Sequence, residues 1–395
     1  MRTYERTHPW IRFQADLHEL SPLTWIALGE CQSKCEHITR VPLRPSTAED
    51  LYKLFLAKGI AATTAIEGNT LTEEQVRKHL DGKLEVPPSL EYQKQEIDNV
   101  LTACNRILGD MAAGRDVPLS ADVVRQHNGE VLTNLKLEEG VLAGQVRTHS
   151  VLVGKYRGAP AEDCEYLLGR LCEWLNGPDF QPQKGMEVAF AVLKAILAHL
   201  YIAWIHPFGD GNGRTARLVE FEILIRSGVP APAAHLLSNH YNQTRTEYYR
   251  QLDQASKSGG KVIAFVAYAI QGFWDGLQGQ LDTIWNQQWD VAWRNFVHEH
   301  FRDKSHPSQQ RQRHLVLDLS QMPEPVPMAK LSEISPRLAK AYAVKTGKTL
   351  SRDVNTLVKM GLIAATPKGY EAQRQLILSF LSPRATPRQK SEVLP

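Results

Sequence analysis

Residues 185–204 read GMEVAFAVLKAILAHLYIAW, twenty positions that are apolar on nearly every side at helical spacing. A helix of that kind has no face to give to water, so it must run through the middle of a helical core. The next stretch, IHPFGDGNGRTARL, stops it. Pro207 has no N–H to continue the helix, and its ring clashes with the turn before it. His206 is therefore expected at the mouth of the core, rigidly held. Gly209, Gly211 and Gly213 allow a ligand to approach closely, and successive backbone N–H groups in such a loop form an anion-binding nest. The loop feeds a new helix, whose N-terminal dipole also favours negative charge. Arg214 and Arg217 lie about one turn apart on it, and guanidinium forks suit phosphate oxygens. Asp210 is a hard oxygen ligand, apt for a Mg²⁺ ion that bridges phosphates. His206 can take a proton from an attacking hydroxyl near neutral pH.

Read together, these residues make a cradle for a di- or triphosphate, with a metal ligand and a general base. The alternative, a helix-loop-helix corner decorated with surface charge, does not account for eight chemically apt positions in one short run. No Walker A pattern, no strand-GxGxxG-helix unit and no alternation of strands and helices is present, which excludes P-loop and Rossmann sites.

The rest of the first 290 residues reads as helices around this element. STAEDLYKLFLAKGIAATTAIEG (46–68) has a Ser/Thr start signal and helical period. In TLTEEQVRKHL, Thr70 and Glu73 have the spacing of a capping box. Helices are also expected over 90–108, 161–176, 215–228, 243–256 and 261–285. Residues 140–160 are Gly-rich, with Val151 and Val153 alternating around Leu152, and read as a short hairpin or flap. His199 is expected as a core histidine, and His235 and His240 fall in an expected loop. The five cysteines are odd in number and scattered, which fits reduced thiols in a cytoplasmic protein. No unbroken run of about 18 apolar residues and no N-terminal apolar leader is seen, so no membrane association is expected.

The motif from His206 to Arg217 resembles the signature of the Fic family, HPFx[D/E]GNGRxxR, and matches it at every position. The resemblance extends over about residues 45–285. It implies a mainly α-helical core with a hairpin flap, and an enzyme that moves AMP from ATP to a Ser, Thr or Tyr hydroxyl of a protein. It implies His206 as the base, Asp210 as the Mg²⁺ (or Mn²⁺) ligand, and Gly211, Asn212, Gly213 and Arg214 around the phosphates. Arg217 is implied on the γ-phosphate. A relative that phosphorylates its target has lysine in place of Gly213, so this chain resembles the adenylyl transferases instead.

Three further stretches extend the resemblance. RTHSVLVGKYRGAP is similar to the family's flap, which implies Val153, Gly154, Lys155 and Tyr156 near the nucleotide and a target clamped by strand addition. TEYYRQLDQAS is similar to the adenosine-side helix, with Tyr248, Tyr249 and Leu252 in the pocket. Ser256 stands where close relatives often have asparagine. TTAIEGN is similar to the family's inhibitory pattern [S/T]xxxE[G/N], supplied here by Thr63, Glu67 and Gly68. The resemblance implies that Glu67 pairs with Arg217 where the γ-phosphate would sit and silences the enzyme in cis. In some relatives the same glutamate positions water to remove AMP, so removal or a bifunctional enzyme stands as an alternative.

Charge is uneven. From Phe301 onward there are sixteen Lys and Arg against seven Asp and Glu, a net +9, whereas the whole chain carries +3. The organisation expected is an N-terminal helical region (1–110) with an inhibitory helix around 55–68, a catalytic core (111–290), a polar linker (291–312), a winged helix-turn-helix domain (313–383) and a tail (384–395). In LSRDVNTLVKMG, Val354, Leu357 and Val358 are expected to face inward and Arg352, Asn355, Thr356 and Lys359 outward, the residue set of a DNA-recognition helix. DNA binding, target recruitment and homodimerisation are all open for this module. A nucleotide-sensing DNA-binding regulator is the reading from outside enzymology. Self-AMPylation is a further expectation, because hydroxyls are plentiful; the target protein is not legible.

Overall fold

The computed structural model describes residues 1–115, 117–154, 156–304 and 306–378. The helices are α1 (Thr3–Thr7), α2 (Pro22–Arg40), α3 (Pro45–Ala65), α4 (Glu73–Leu80), α5 (Glu91–Ala112) and α6 (Ala121–Val131). A two-stranded pair, β1 (Leu152–Val153) and β2 (Tyr156–Arg157), follows. Then come α7 (Ala161–Leu175), α8 (Glu187–Ile205), α9 (Asn212–Arg226), α10 (Leu236–Gln243), α11 (Arg245–Lys257) and α12 (Ile263–His300). The chain continues through α13 (Pro307–Leu319), α14 (Pro336–Tyr342), α15 (Gly347–Lys359), β3 (Ile363–Thr366) and β4 (Gly369–Ala372). It divides into two compact units, Met1–Asp282 and Thr283–Pro395.

In the first unit α8 is the central helix. It is buried on all sides from Val188 to Ile205, apart from a few partly exposed positions, and packs most extensively on α9, then on α2 and α7. It is the one helix among the described residues long and apolar enough to cross a bilayer, but 83% of its apolar window is covered by the rest of the protein. Its apolar surface is spent on the core. α3 is likewise sunk in the fold, with Leu56, Ala57 and Gly59–Thr64 buried against α10, α4 and α5.

Some local expectations change. The cap of α4 is Thr72 with Gln75, not Thr70 with Glu73: the Gln75 N–H donates to Thr72 Oγ1 (3.2 Å) and the Thr72 N–H to Gln75 Oε1 (2.9 Å). TLTEEQ contains the T-x-x-E/Q spacing twice, and Gln93 of α5 claims Thr70 by accepting from its hydroxyl at 2.9 Å. The segment around His235 and His240 is not a loop: α10 occupies it. No side chain caps its start, so tertiary packing carries it. His235 stacks on Phe221 (centroids 4.6 Å), and His240 packs at a tilt against Tyr268 (4.4 Å).

The stretch 291–312 is helical over most of its length. α12 runs on to His300 and α13 begins at Pro307, leaving only 301–306 between them. The polar composition misleads because α13 is amphipathic: its Leu315, Val316 and Leu319 join Trp293, Val297 and Phe301 in the second unit's own core. In that unit Val326 and Tyr370 exchange both backbone hydrogen bonds (2.9 and 2.8 Å), adding a third strand segment to the antiparallel β3–β4 hairpin. Val354 and Leu357 of α15 are buried, but Val358 is 38% exposed, one step past the inward face. Residues 379–395, including the expected tail, lie outside the described residues.

Candidate active site

α8 ends at His206, which caps it in the left-handed conformation (φ 49°, ψ 60°) while its N–H still donates to Ile202 O at 2.8 Å. A left-handed histidine is uncommon and needs its surroundings to hold it. Arg147, buried and distant in sequence, supplies that hold. Its Nε donates to His206 O (2.8 Å), its Nη1 to His149 O (2.5 Å) and its Nη2 to Ala159 O (2.5 Å), and its N–H donates to Pro207 O (3.0 Å). One guanidinium thus ties the base of the β1–β2 hairpin to the end of α8. Burial pushes the His206 imidazole down to about 4; the Arg147 charge adds to that fall, while the Ala203 carbonyl, Glu67 and Asp210 oppose it. His206 is therefore neutral at pH 7 and able to accept a proton.

The loop after His206 is folded by Asn212. Its Oδ1 accepts from Phe208 N (2.9 Å) and its Nδ2 donates to Phe208 O (2.8 Å), so the buried amide side chain is a loop staple. Gly211 (φ 75°) makes the left-handed turn that starts α9. Asn128 of α6 braces the same turn from outside, donating to Asp210 O (2.9 Å) and Thr215 Oγ1 (3.2 Å) and accepting from Gly144 N (2.9 Å). The first-turn amides of Asn212, Gly213 and Arg214 have no partner among the described residues. Orphan amides at a helix start, backed by arginines, offer hydrogen-bond donors suited to an oxyanion.

Glu67 stands over that site. It follows the C-terminus of α3, where Gly68 (φ 101°) turns the chain. Its Oε1 accepts from Arg217 Nη2 at 2.5 Å, and the same nitrogen donates to the Thr63 carbonyl at 2.9 Å. Arg217 is otherwise buried with Nε and Nη1 unpartnered. The carboxylate lies so close to the α9 backbone that a Cβ at Gly213 would overlap Glu67 Oε1. Burial raises the Glu67 carboxyl, but the charge and hydrogen bond of Arg217 outweigh it, and the group sits below its usual range. Arg214 is engaged as well: its Nη1 donates to Glu96 Oε1 at 2.7 Å and its Nη2 lies 3.4 Å from Asp210 Oδ1.

A cavity of about 480 Å³ opens beside this cluster. Of the residues expected at the site, Glu67, Val153, Gly154, Tyr156, His206, Asn212, Gly213, Tyr248, Tyr249 and Leu252 line it. Thr63, Gly68, Gly211, Asp210, Arg214 and Arg217 stand behind or beside that lining, grouped by the contacts above. Ser256 does not line it; its hydroxyl donates to Asp253 O at 2.9 Å, and Asp253 faces the cavity instead. Lys155 lies outside the described residues. Tyr248 is buried and its hydroxyl is 2.8 Å from His199 Nε2.

Arg147, Asn128, Glu96 and Arg245 are functional neighbours that sequence reasoning does not single out. Arg245 donates from Nη2 to Ile66 O at 2.6 Å, clasping the end of α3. Each acts on a residue far away in the chain, so no local spacing marks it. For a divalent cation, Asp210 is the available ligand: its side chain is 52% exposed, and its Oδ1 accepts from the Gly211 N–H (2.5 Å) and Arg214 Nη2 (3.4 Å) while Oδ2 has no hydrogen-bond partner among the described residues. No group of three or more His, Cys, Asp or Glu is gathered among the described residues. That donor set suits Mg²⁺ bound chiefly by a substrate's phosphates, with one protein carboxylate.

Fold and site together define a helical protein with a cleft beside unpartnered helix-start amides, a neutral histidine at its rim and a β-hairpin beside it. Residues 118–224 match the sequence model of the Fic/DOC family. It is 32% identical over 209 residues to protein adenylyltransferase fic-1 of Caenorhabditis briggsae, covering 53% of this chain and 38% of the relative. It is 26% identical over 258 residues to protein adenylyltransferase Fic of Nematostella vectensis, covering 65% and 56%. The chain thus spans less than two thirds of the length of these curated relatives. A crystal structure of a Fic family protein from Desulfovibrio desulfuricans G20 shares the fold, with a TM-score of 0.55 at 20% identity over 91% of this chain and 98% of that one.

Proposed function

We propose that this protein transfers AMP from ATP to a hydroxyl of a protein and is held in check by its own Glu67. The observation that carries the reading is the Glu67–Arg217 pair seated on the unpartnered amides that open α9. In the reaction, His206 accepts the hydroxyl proton of the target. The target oxygen bonds to the α-phosphorus, the bond from that phosphorus to the α,β-bridging oxygen breaks, and pyrophosphate leaves. The α9 amides and Arg214 receive the phosphate oxygens, and Arg217 receives the γ-phosphate once Glu67 lets go. Asp210 would hold a Mg²⁺, which neutralises phosphate charge. With Glu67 in place the triphosphate lies off the attack line, and a misplacement of about 1 Å is worth about a hundredfold in rate. The Tyr248, Tyr249 and Leu252 wall is suited to the adenine ring, and Val153 and Gly154 to the target's backbone.

The test is intact-protein mass after incubation with Mg²⁺ and ATP, together with labelling of a mixed cell lysate by α-labelled ATP. Glu67→Gly is expected to add AMP to itself or to a lysate protein, and the native chain to add little. No AMP on any protein with Glu67→Gly would overturn the reading. A second reading, removal of AMP, is favoured by one observation: Glu67 Oε2 has no hydrogen-bond partner among the described residues and Glu67 faces the cavity with His206, where it could orient water. Release of AMP from a pre-adenylylated protein by the native chain, lost in Glu67→Gly, would select it.

The second unit we read as a winged helix-turn-helix. The order supports this: helix α13, a strand residue at Val326, helices α14 and α15, then a hairpin paired back onto Val326.

A further inference from the structure

Along the outer face of α15, Lys348, Arg352, Asn355 and Lys359 recur at steps of four, three and four, all exposed. With Ser351 and Thr356 they line one depression. The only acid on this helix is turned the other way. Asp353 is buried and accepts from Arg311 Nε (2.9 Å), Gln312 Nε2 (3.0 Å) and the Tyr342 hydroxyl (3.0 Å). These bonds fix the rotation of α15 about its axis and commit the cationic stripe to the surface. None of Lys348, Arg352 and Lys359 has an acidic partner among the described residues, and Lys368 at the β3–β4 turn has none either. Three lysines on helices of the first unit are placed differently. Lys34, Lys78 and Lys257 each pair with an acid four residues earlier on their own helices.

A helix face kept merely for solubility would carry both signs, as those helices do, since like charges four residues apart destabilise a helix. A single-sign stripe with an amide at its centre is instead complementary to a regular polyanion. The stripe is about 16 Å long, at 1.5 Å per residue, and an α-helix fits the B-form major groove. Arginine and asparagine are also the side chains that bridge guanine and adenine edges there.

We propose that the second unit binds double-stranded DNA with α15 in the major groove. Arg352 and Asn355 face base edges, Lys348 and Lys359 hold the flanking phosphates, and Lys368 on the hairpin turn reaches the backbone. This does not depend on the AMP-transfer reading of the first unit.

The test uses the full chain and a fluorescently labelled random-sequence duplex, with affinity measured by anisotropy across salt concentrations, followed by selection from a randomised duplex library. Native protein is expected to bind the duplex at low salt, with log affinity falling by about 0.9 per phosphate contact for each decade of salt. The double variant Lys348→Ala/Lys359→Ala is expected to lose affinity on every sequence and to lower that slope by about 2. Asn355→Ala should keep its affinity for random duplex but lose about 5- to 100-fold on the selected sequence. Circular dichroism melting verifies that these surface variants are folded. No duplex binding at low salt, a folded double variant that binds as the native chain does, or tighter binding of single-stranded RNA or polyglutamate than of duplex would each overturn the proposal.

Discussion

Removing the charge of Glu67 should loosen the protein and tighten its grip on ATP at the same time. Arg217 is buried, with two of its three guanidinium nitrogens unpartnered and the third shared between Glu67 and the Thr63 carbonyl. Taking one partner from a buried ion pair costs about 3–5 kcal/mol. Glu67 itself is 35% exposed on its side chain, so water can reach the pair through the cavity, and about 2–3 kcal/mol is the appropriate expectation. For a unit of this size each kcal/mol lowers Tm by about 2–4 °C, so Glu67→Gln should melt roughly 4–12 °C below the native chain. Glu67→Gly adds up to about 1 kcal/mol of backbone entropy, and the Gln variant separates the two effects. Because the Glu67 pKa is lowered on folding, the pair's contribution is present above the unfolded carboxyl value and disappears only as pH falls through the lower folded value. Adding ATP should raise Tm in the Gln variant by more than in the native chain, since the γ-phosphate replaces the lost carboxylate. Differential scanning calorimetry with and without Mg·ATP reads both quantities. If native and Glu67→Gln melt within 1 °C of each other and calorimetric titration gives them the same ATP affinity, the reasoning is refuted.

Other perturbations probe neighbouring groups. His206→Ala, placed in the Glu67→Gly background, is expected to abolish AMP transfer and leave ATP binding within about threefold; retained transfer by mass would remove His206 from the role of base. Arg217→Ala should weaken ATP more than ADP in calorimetric titrations, whereas equal losses would place Arg217 away from the γ-phosphate. His235 is fully enclosed between α3 and α9, its Nε2 has no partner, and burial lowers its pKa to about 4. The unfolded chain, with a histidine near 6.5, then binds a proton between pH 6.5 and 4 that the native state refuses, so native stability falls as pH drops through that window, by about 3 kcal/mol in all. His235→Leu is expected to flatten that acid slope in urea titrations at stepped pH; an unchanged slope would mean His235 does not titrate as described.

Local signals made part of this legible. A proline after an all-apolar helix ends it wherever it is placed, and three glycines with an asparagine fold a tight loop largely from their own atoms, as the Asn212 side chain does with Phe208. The end of α3 at Gly68 is likewise written locally. What was not legible depends on distant partners. Arg147 reaches His206 across 59 residues, Asn128 reaches Asp210 across 82, and Arg214 finds Glu96 across 118. A polar segment such as α13 reads as a linker until the apolar face it meets is known, and α10 owes its helix to packing against α3 and α11. The doubled capping pattern in TLTEEQ was decided by Gln93, which no window around residue 70 contains.

Glu67 is carried at the end of a helix that cannot easily leave. α3 is clasped by Arg245 and packs on α10 so tightly that a Cβ at Gly59 would overlap His235. On the proposed reading, the brake works by rotation of one side chain and not by the departure of a lid. If about 2–3 kcal/mol separates its closed and open rotations, roughly one molecule in thirty to one in a hundred and fifty is released at any instant. On the proposed reading the resting protein idles at a small, constant output, like a tap that drips. An activator has only to lengthen each open interval, and any change that uproots α3 to open the tap wider is expected to damage the basin that holds it.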